Sequence, residues 1–138
     1  MQSSILLVED QETDVNLIAA SFERAGIKHP IVSVRGGLAA MAYLSGDPPY
    51  DDRSRYPLPA LVLLDVRMPG VDGYQVLQWI RQHPTFATIP VVMLTGSDSI
   101  SDAGNAYQLG ATTFLVKPFD FSNTLELSRA IERLLRTT

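Results

Sequence analysis

The sequence predicts an α/β domain, a doubly wound parallel sheet of five strands with five helices, and two observations carry that prediction. Apolar runs alternate along the chain with segments of helical period, the order expected when strands and crossover helices take turns. Runs such as Ile5-Leu6-Leu7-Val8 and Leu61-Val62-Leu63-Leu64 are apolar throughout instead of at every second residue. That pattern suits strands covered on both faces, and right-handed crossovers then place helices on both sides of the sheet.

Strands are expected at Ile5 to Val8, Ile31 to Val34, Leu61 to Leu64, Ile89 to Leu94 and Thr113 to Val116. The first helix, about Glu12 to Ala25, aligns Val15, Ile18, Ala19, Phe22 and Ala25 on one stripe and stops at Gly26, a residue that favours helix ends. The second helix leads into an irregular stretch, Gly46 to Pro59, rich in proline, tyrosine, aspartate and arginine. This stretch should lie at the amino edge of the sheet, as a tolerated surface insertion or, alternatively, a place for partner docking or dimer contacts. In the third helix Asp72 and Gln75 stand in N-cap and N3 relation, Val76, Leu77 and Ile80 form the buried stripe, and Pro84 marks the end. The fourth helix, about Ser99 to Leu109, is weak because Gly104 and Asn105 lie inside it, and an interior glycine costs about 1 kcal/mol relative to alanine. The fifth opens near Ser122 or Asn123 and carries Leu127, Ile131, Leu134 and Leu135.

The 138 residues suit one domain spanning 1–138 with no output domain, and 46% hydrophobic residues supply a substantial core. A net charge of -4 lacks the footprint of a phosphate-backbone binder, so nucleic acid is not an expected partner. Cysteine is absent, which removes disulfides and thiolate sites and agrees with a reducing compartment. No basic signal-peptide start and no apolar segment of about 20 residues is present. A cytoplasmic protein without membrane association is expected.

Two strands end in acid: Glu9 and Asp10 follow the first apolar run, and Asp65 follows the third. Ligands of parallel α/β sheets sit at the carboxyl ends of the strands, so Asp65 is where chemistry is expected. If neighbouring strands bring these carboxylates within about 4 Å, each pair repels by roughly 4 kcal/mol at an effective dielectric near 20. Oxygen-only ligands of this kind ask for a hard cation, and few carboxylates plus water suit Mg²⁺.

With Met68-Pro69-Gly70 and Asp72-Gly73 after Asp65, Thr95 closing the fourth strand, and Lys117-Pro118 closing the fifth, the chain resembles a response-regulator receiver domain of two-component signalling. Singly, a strand-end aspartate, threonine or lysine is an ordinary cap or turn residue; the specificity lies in their joint order. The resemblance implies a flavodoxin-like strand order 2-1-3-4-5 and a phosphoryl group accepted on Asp65. It implies Mg²⁺ held by Asp10, Asp65, the Arg67 backbone carbonyl and, through water, Glu9. Lys117 and Thr95 would bind phosphoryl oxygens, and the backbone amides of Val66 and Gly96 would complete the cradle. Thr95 and Phe114 would form the switch, while the Arg67 side chain and Ser97 would influence phosphate lifetime.

Further implications concern partners: a histidine kinase or phosphotransfer protein as donor, an unknown downstream protein, and a homodimer as a further candidate. The signalling surface would be formed by the fourth and fifth helices with the last strand. The chain would not be an enzyme beyond catalysing its own phosphoryl transfer and dephosphorylation. The Glu-Asp start, the long loop before the third strand and Leu115 to Phe121 are similar to stand-alone regulators that partner bacterial phytochromes. Two other classes share parts of this pattern. A flavodoxin-like redox carrier needs a phosphate-binding loop where Glu9-Asp10-Gln11-Glu12 stands. A haloacid-dehalogenase-type phosphatase needs a second acid where Arg67 stands. A receiver-like scaffold that does not accept phosphate is the remaining alternative. His29 and His83, beside prolines at element ends, are read as surface residues and not ligands, and Trp79 and Tyr107 as core or surface packing.

Overall fold

A computed structural model describes residues 4–95, 100–116 and 124–136. The order is β1 (Ile5–Val8), α1 (Glu12–Arg24), β2 (Ile31–Val34), α2 (Gly37–Ser45), β3 (Leu61–Asp65), α3 (Gly73–Gln82), β4 (Val91–Thr95), α4 (Ile100–Gln108), β5 (Thr113–Val116) and α5 (Thr124–Arg136). The strands form one sheet in the order β2-β1-β3-β4-β5, and every neighbouring pair is parallel.

The apolar runs explain this sheet directly. Every residue of β1, β3 and β4 is buried, and successive side chains go to opposite cores, as the strand period of two requires. Leu6, Val8, Val62, Leu64, Val91 and Met93 join Ala40, Tyr43 and Leu44 of α2, Val76, Leu77 and Ile80 of α3, and Ala106 of α4. Ile5, Leu7, Leu61, Leu63, Val92 and Leu94 meet Ile18 and Phe22 of α1 and Ile131 of α5 on the other face. The edge strand β2 is covered less completely.

Element boundaries move slightly from expectation. β4 starts at Val91 instead of Ile89, because the Ile89 amide donates to Phe86 O in a turn and Pro90 has no amide to give. The first helix ends at Arg24 with Ala25 as its cap. Gly26 then takes φ 78°, and the Ile27 amide bonds Phe22 O, which satisfies helix-end carbonyls. At α3 the capping box is complete: the Gln75 amide donates to the Asp72 carboxylate at 2.9 Å, and the Asp72 amide to Gln75 Oε1 at 2.9 Å.

The stretch from Gly46 to Pro59 is at the amino edge, where the Ala60 amide bonds Ser4 O. It is more integrated than a bare surface insertion. Tyr50 and Tyr56 pack against Tyr43 of α2 with ring centroids 5.2 and 6.0 Å away, and the Tyr43 hydroxyl donates to Pro57 O. Trp79 packs against both His83 and Phe86, whereas Tyr107 is exposed. His83 stacks on Phe86, and His29 lies 3.9 Å from Glu132 of α5. Both histidines are half-buried.

Candidate metal and phosphoryl site

Parallel alignment of β1 with β3 brings Val8 beside Leu64, so the next residues on each strand, Glu9 and Asp65, emerge together at the carboxyl edge. Ligand atoms of Glu9, Asp10 and Asp65 lie within 4.8 Å of one another. Glu9 is fully buried, Asp65 is 4% exposed, and Asp10 is half-buried. Glu9 has a local structural function as well, since the Gln11 amide at the N-cap of α1 donates to Glu9 Oε1 at 3.2 Å. Glu9 thus serves the start of the first helix and the acidic cluster together.

At 4.8 Å, two carboxylates repel by about 3 to 4 kcal/mol at an effective dielectric near 20. The donor set is oxygen only, it converges from two strand ends, and two of its members are almost wholly removed from solvent. These features fit a Mg²⁺ ion, whose coordination shell is commonly completed by water.

The loop after β3 is held by its surroundings. The Val66 amide donates to Leu94 O at 2.8 Å, and the Gly73 amide to Val66 O at 2.9 Å. Val66 and Met68 are buried while Arg67 between them is exposed, which leaves the Arg67 side chain on the solvent side of the site. Gly73 is the positioning residue that the sequence motif contained without revealing its reason. A Cβ there would run into the Asp65 carbonyl oxygen and lie 2.8 Å from Val66 Cα. The first turn of α3 can therefore sit against the Asp65 backbone only because residue 73 has no side chain. A glycine at the first helical position, where it is a poor helix former, was the available signal.

Thr95, 1% exposed, closes β4 one residue beyond Leu94, the partner of Asp65. It pairs in register with Val116 of β5. Phe114 pairs with Met93 and packs half-buried against the core on the α3 and α4 side. Lys117, Ser97 and Gly96 lie outside the described residues. The structure therefore gathers Glu9, Asp10 and Asp65 into one cluster and sets Thr95 at the same sheet edge.

This sheet order and this acidic edge define a receiver-type α/β domain. Residues 5–129 match the model of the response regulator receiver domain, and the chain belongs to that family. It is 37% identical over 128 residues to response regulator Rcp1 of Synechocystis, covering 93% of this chain and 85% of that one. The crystal structure of Rcp1 in its Mn²⁺-bound form superposes with a TM-score of 0.80 at 36% identity, over 99% of this chain and 96% of the other. The phosphorylated cyanobacterial phytochrome response regulator RcpA gives a TM-score of 0.83 at 33% identity, with the same coverage of 99% and 96%. Among the described residues, no helix is long and apolar enough to cross a membrane.

Proposed function

We propose that this receiver domain is a phosphorylation-driven switch in which Asp65 accepts a phosphoryl group from a phosphohistidine. The observation that carries this reading is the convergence of Glu9, Asp10 and Asp65 at the carboxyl edge. An Asp65 carboxylate oxygen attacks phosphorus, the P–N bond breaks, and its electron pair returns to the histidine ring, which takes up a proton. Bound Mg²⁺ supplies charge neutralisation at the transferring phosphoryl group. Asp10, Asp65 and the Arg67 carbonyl would hold that ion, with Glu9 contributing through water. Lys117 and Thr95 donate to phosphoryl oxygens that carry the developing charge, and Ser97 and the Arg67 side chain act on the persistence of the acyl phosphate.

Thr95 and Phe114 then couple the mark to α4, β5 and α5. Moving a two-state equilibrium from 1:99 to 99:1 needs about 5.5 kcal/mol, a size that several charge-assisted hydrogen bonds can approach. The weakly built α4 is the element that responds, and output passes to a downstream protein. The chain is a phosphoacceptor and not an enzyme acting on other substrates. Similarity to the cyanobacterial phytochrome response regulator RcpA supports a phytochrome-type histidine kinase as donor.

Incubation with acetyl phosphate and Mg²⁺ should add one phosphoryl group, read by intact mass, that is absent in Asp65→Asn. Undiminished incorporation in Asp65→Asn would overturn the assignment.

A further inference from the structure

Far from the acidic cluster, one arginine ties the C-terminal end of α4 to the rest of the domain. Arg81, in the last turn of α3, is half-buried. Its Nε donates to Gly110 O at 2.8 Å, and its Nη1 donates to Ala87 O at 3.0 Å and Ile89 O at 2.6 Å. Nη2 lies 3.4 Å from Thr112 Oγ1. Thr112 is fixed to β4 in turn, since its hydroxyl accepts from the Val91 amide at 3.0 Å and its own amide donates to Val91 O. One guanidinium therefore joins α3, the connection into β4, and the turn from α4 into β5.

The turn itself is tightly wound. Amides of Leu109, Gly110 and Ala111 return to the carbonyls of Asn105, Tyr107 and Ala106. Gly110 takes φ +101°, and a Cβ there would lie 3.1 Å from Arg81 Cγ. The side chains just before this turn give α4 little hold. Gly104, Asn105, Tyr107 and Gln108 are exposed, and Ala106 is the buried one among residues 104–108. Hydrogen bonds from a charged donor are among the stronger ones in proteins, and here one guanidinium links the end of the helix, at Gly110 and Thr112, to the connection into β4, at Ala87 and Ile89.

We propose that Arg81 is the fulcrum of the switch: it pins the C-terminal end of α4 at Gly110 and Thr112, so that phosphorylation at the opposite sheet edge displaces residues 100–107 while 108–113 stay fixed. The proposal rests on the reading that α4 responds to phosphorylation. Arg81 acts through the turn and touches no reacting atom.

Hydrogen exchange by mass spectrometry on the full chain, before and after phosphorylation by acetyl phosphate with Mg²⁺, tests it. Phosphate incorporation is followed in parallel by intact mass. In the wild type, exchange should change across 100–107 and stay level across 108–113. In Arg81→Lys, which keeps the charge and loses the forked donors, the response should spread into 108–113 with exchange faster by about tenfold. Gly110→Ala, which crowds Arg81 without removing it, should spread the response the same way and serves if Arg81→Lys does not fold cooperatively. A wild-type response that already includes 108–113, or variant responses identical to the wild type, would overturn the fulcrum alone. Phosphate incorporated with no exchange change in α4, or no incorporation at all, would overturn the switch reading and the fulcrum together.

Discussion

At the carboxyl edge of the sheet Glu9, Asp10 and Asp65 bring three carboxylates within 4.8 Å, whereas at the amino edge Arg53 and Arg81 spread their guanidinium donors over backbone carbonyls. Arg53 bonds Tyr43 O, Leu44 O and Tyr56 O at 2.8, 2.7 and 3.2 Å, holding the long loop to the end of α2. Arg81 does the same for the turns around β4 and β5. One edge concentrates like charge, which an added cation relieves; the other meets its guanidinium donors with carbonyl acceptors from the chain itself. Stability and responsiveness are thus assigned to opposite ends of the same strands.

The largest effect expected at the carboxyl edge is steric. Gly73→Ala forces the first turn of α3 away from the Asp65 backbone and should cost about 3 kcal/mol of stability, with slower phosphate incorporation. Urea unfolding measures the first and intact mass the second. A loss below about 1 kcal/mol would mean that this edge is pliable, and the contrast with a rigid amino edge would sharpen.

Mg²⁺ should separate the edges more selectively. At about 100-fold its Kd the ion should stabilise the protein by about 2.7 kcal/mol, reversibly on chelation. Asp10→Asn should blunt this gain, while Arg53→Ala should leave it intact. Thermal melting with and without Mg²⁺ measures both, and equal gains in Asp10→Asn and wild type would break the link between acidic clustering and cation binding.

Arg53→Ala should itself cost about 2 kcal/mol, because hydrogen bonds from a charged donor are lost and partly buried carbonyls lose their partners. Phosphate incorporation on Asp65 should be unchanged. A shift in the urea midpoint with constant slope reads the cost, and impaired incorporation would show that the edges are coupled.

These edges were not equally legible in the sequence. Glu9, Asp10 and Asp65 announced themselves because each follows an apolar run, and the period of a strand fixes where the run ends. The capping box at Asp72 and Gln75 was visible for a similar reason, since its bonds span three residues. Arg53 and Arg81 carried no such mark. Their acceptors are backbone carbonyls, and Gly110 is 29 residues from Arg81, so only the completed fold brings donor and acceptor together. The β4 boundary moved because Pro90 supplies a carbonyl to Val62 but has no amide, a distinction that hydrophobic pattern does not register. The aromatic cluster of Tyr43, Tyr50 and Tyr56 was equally hidden, because loop composition says nothing about which rings meet.

Arg67 gives the smallest and most discriminating expected effect, because it is a solvent-facing cation of the carboxyl edge and lies outside the proposed set of side-chain metal ligands. Its backbone is fixed between buried Val66 and Met68, so truncation of the side chain should leave the carbonyl where it is. Arg67→Ala should therefore keep Mg²⁺ affinity nearly intact while altering the lifetime of the aspartyl phosphate by a few-fold, the size of an exposed electrostatic contact of about 0.5 to 1 kcal/mol. Decay of phosphoprotein after removal of acetyl phosphate, followed by intact mass, measures the lifetime, and a Mg²⁺ titration measures the affinity. Unchanged decay would confine control of the mark to the buried residues, whereas a large loss of Mg²⁺ affinity would mean that the loop backbone depends on the Arg67 side chain.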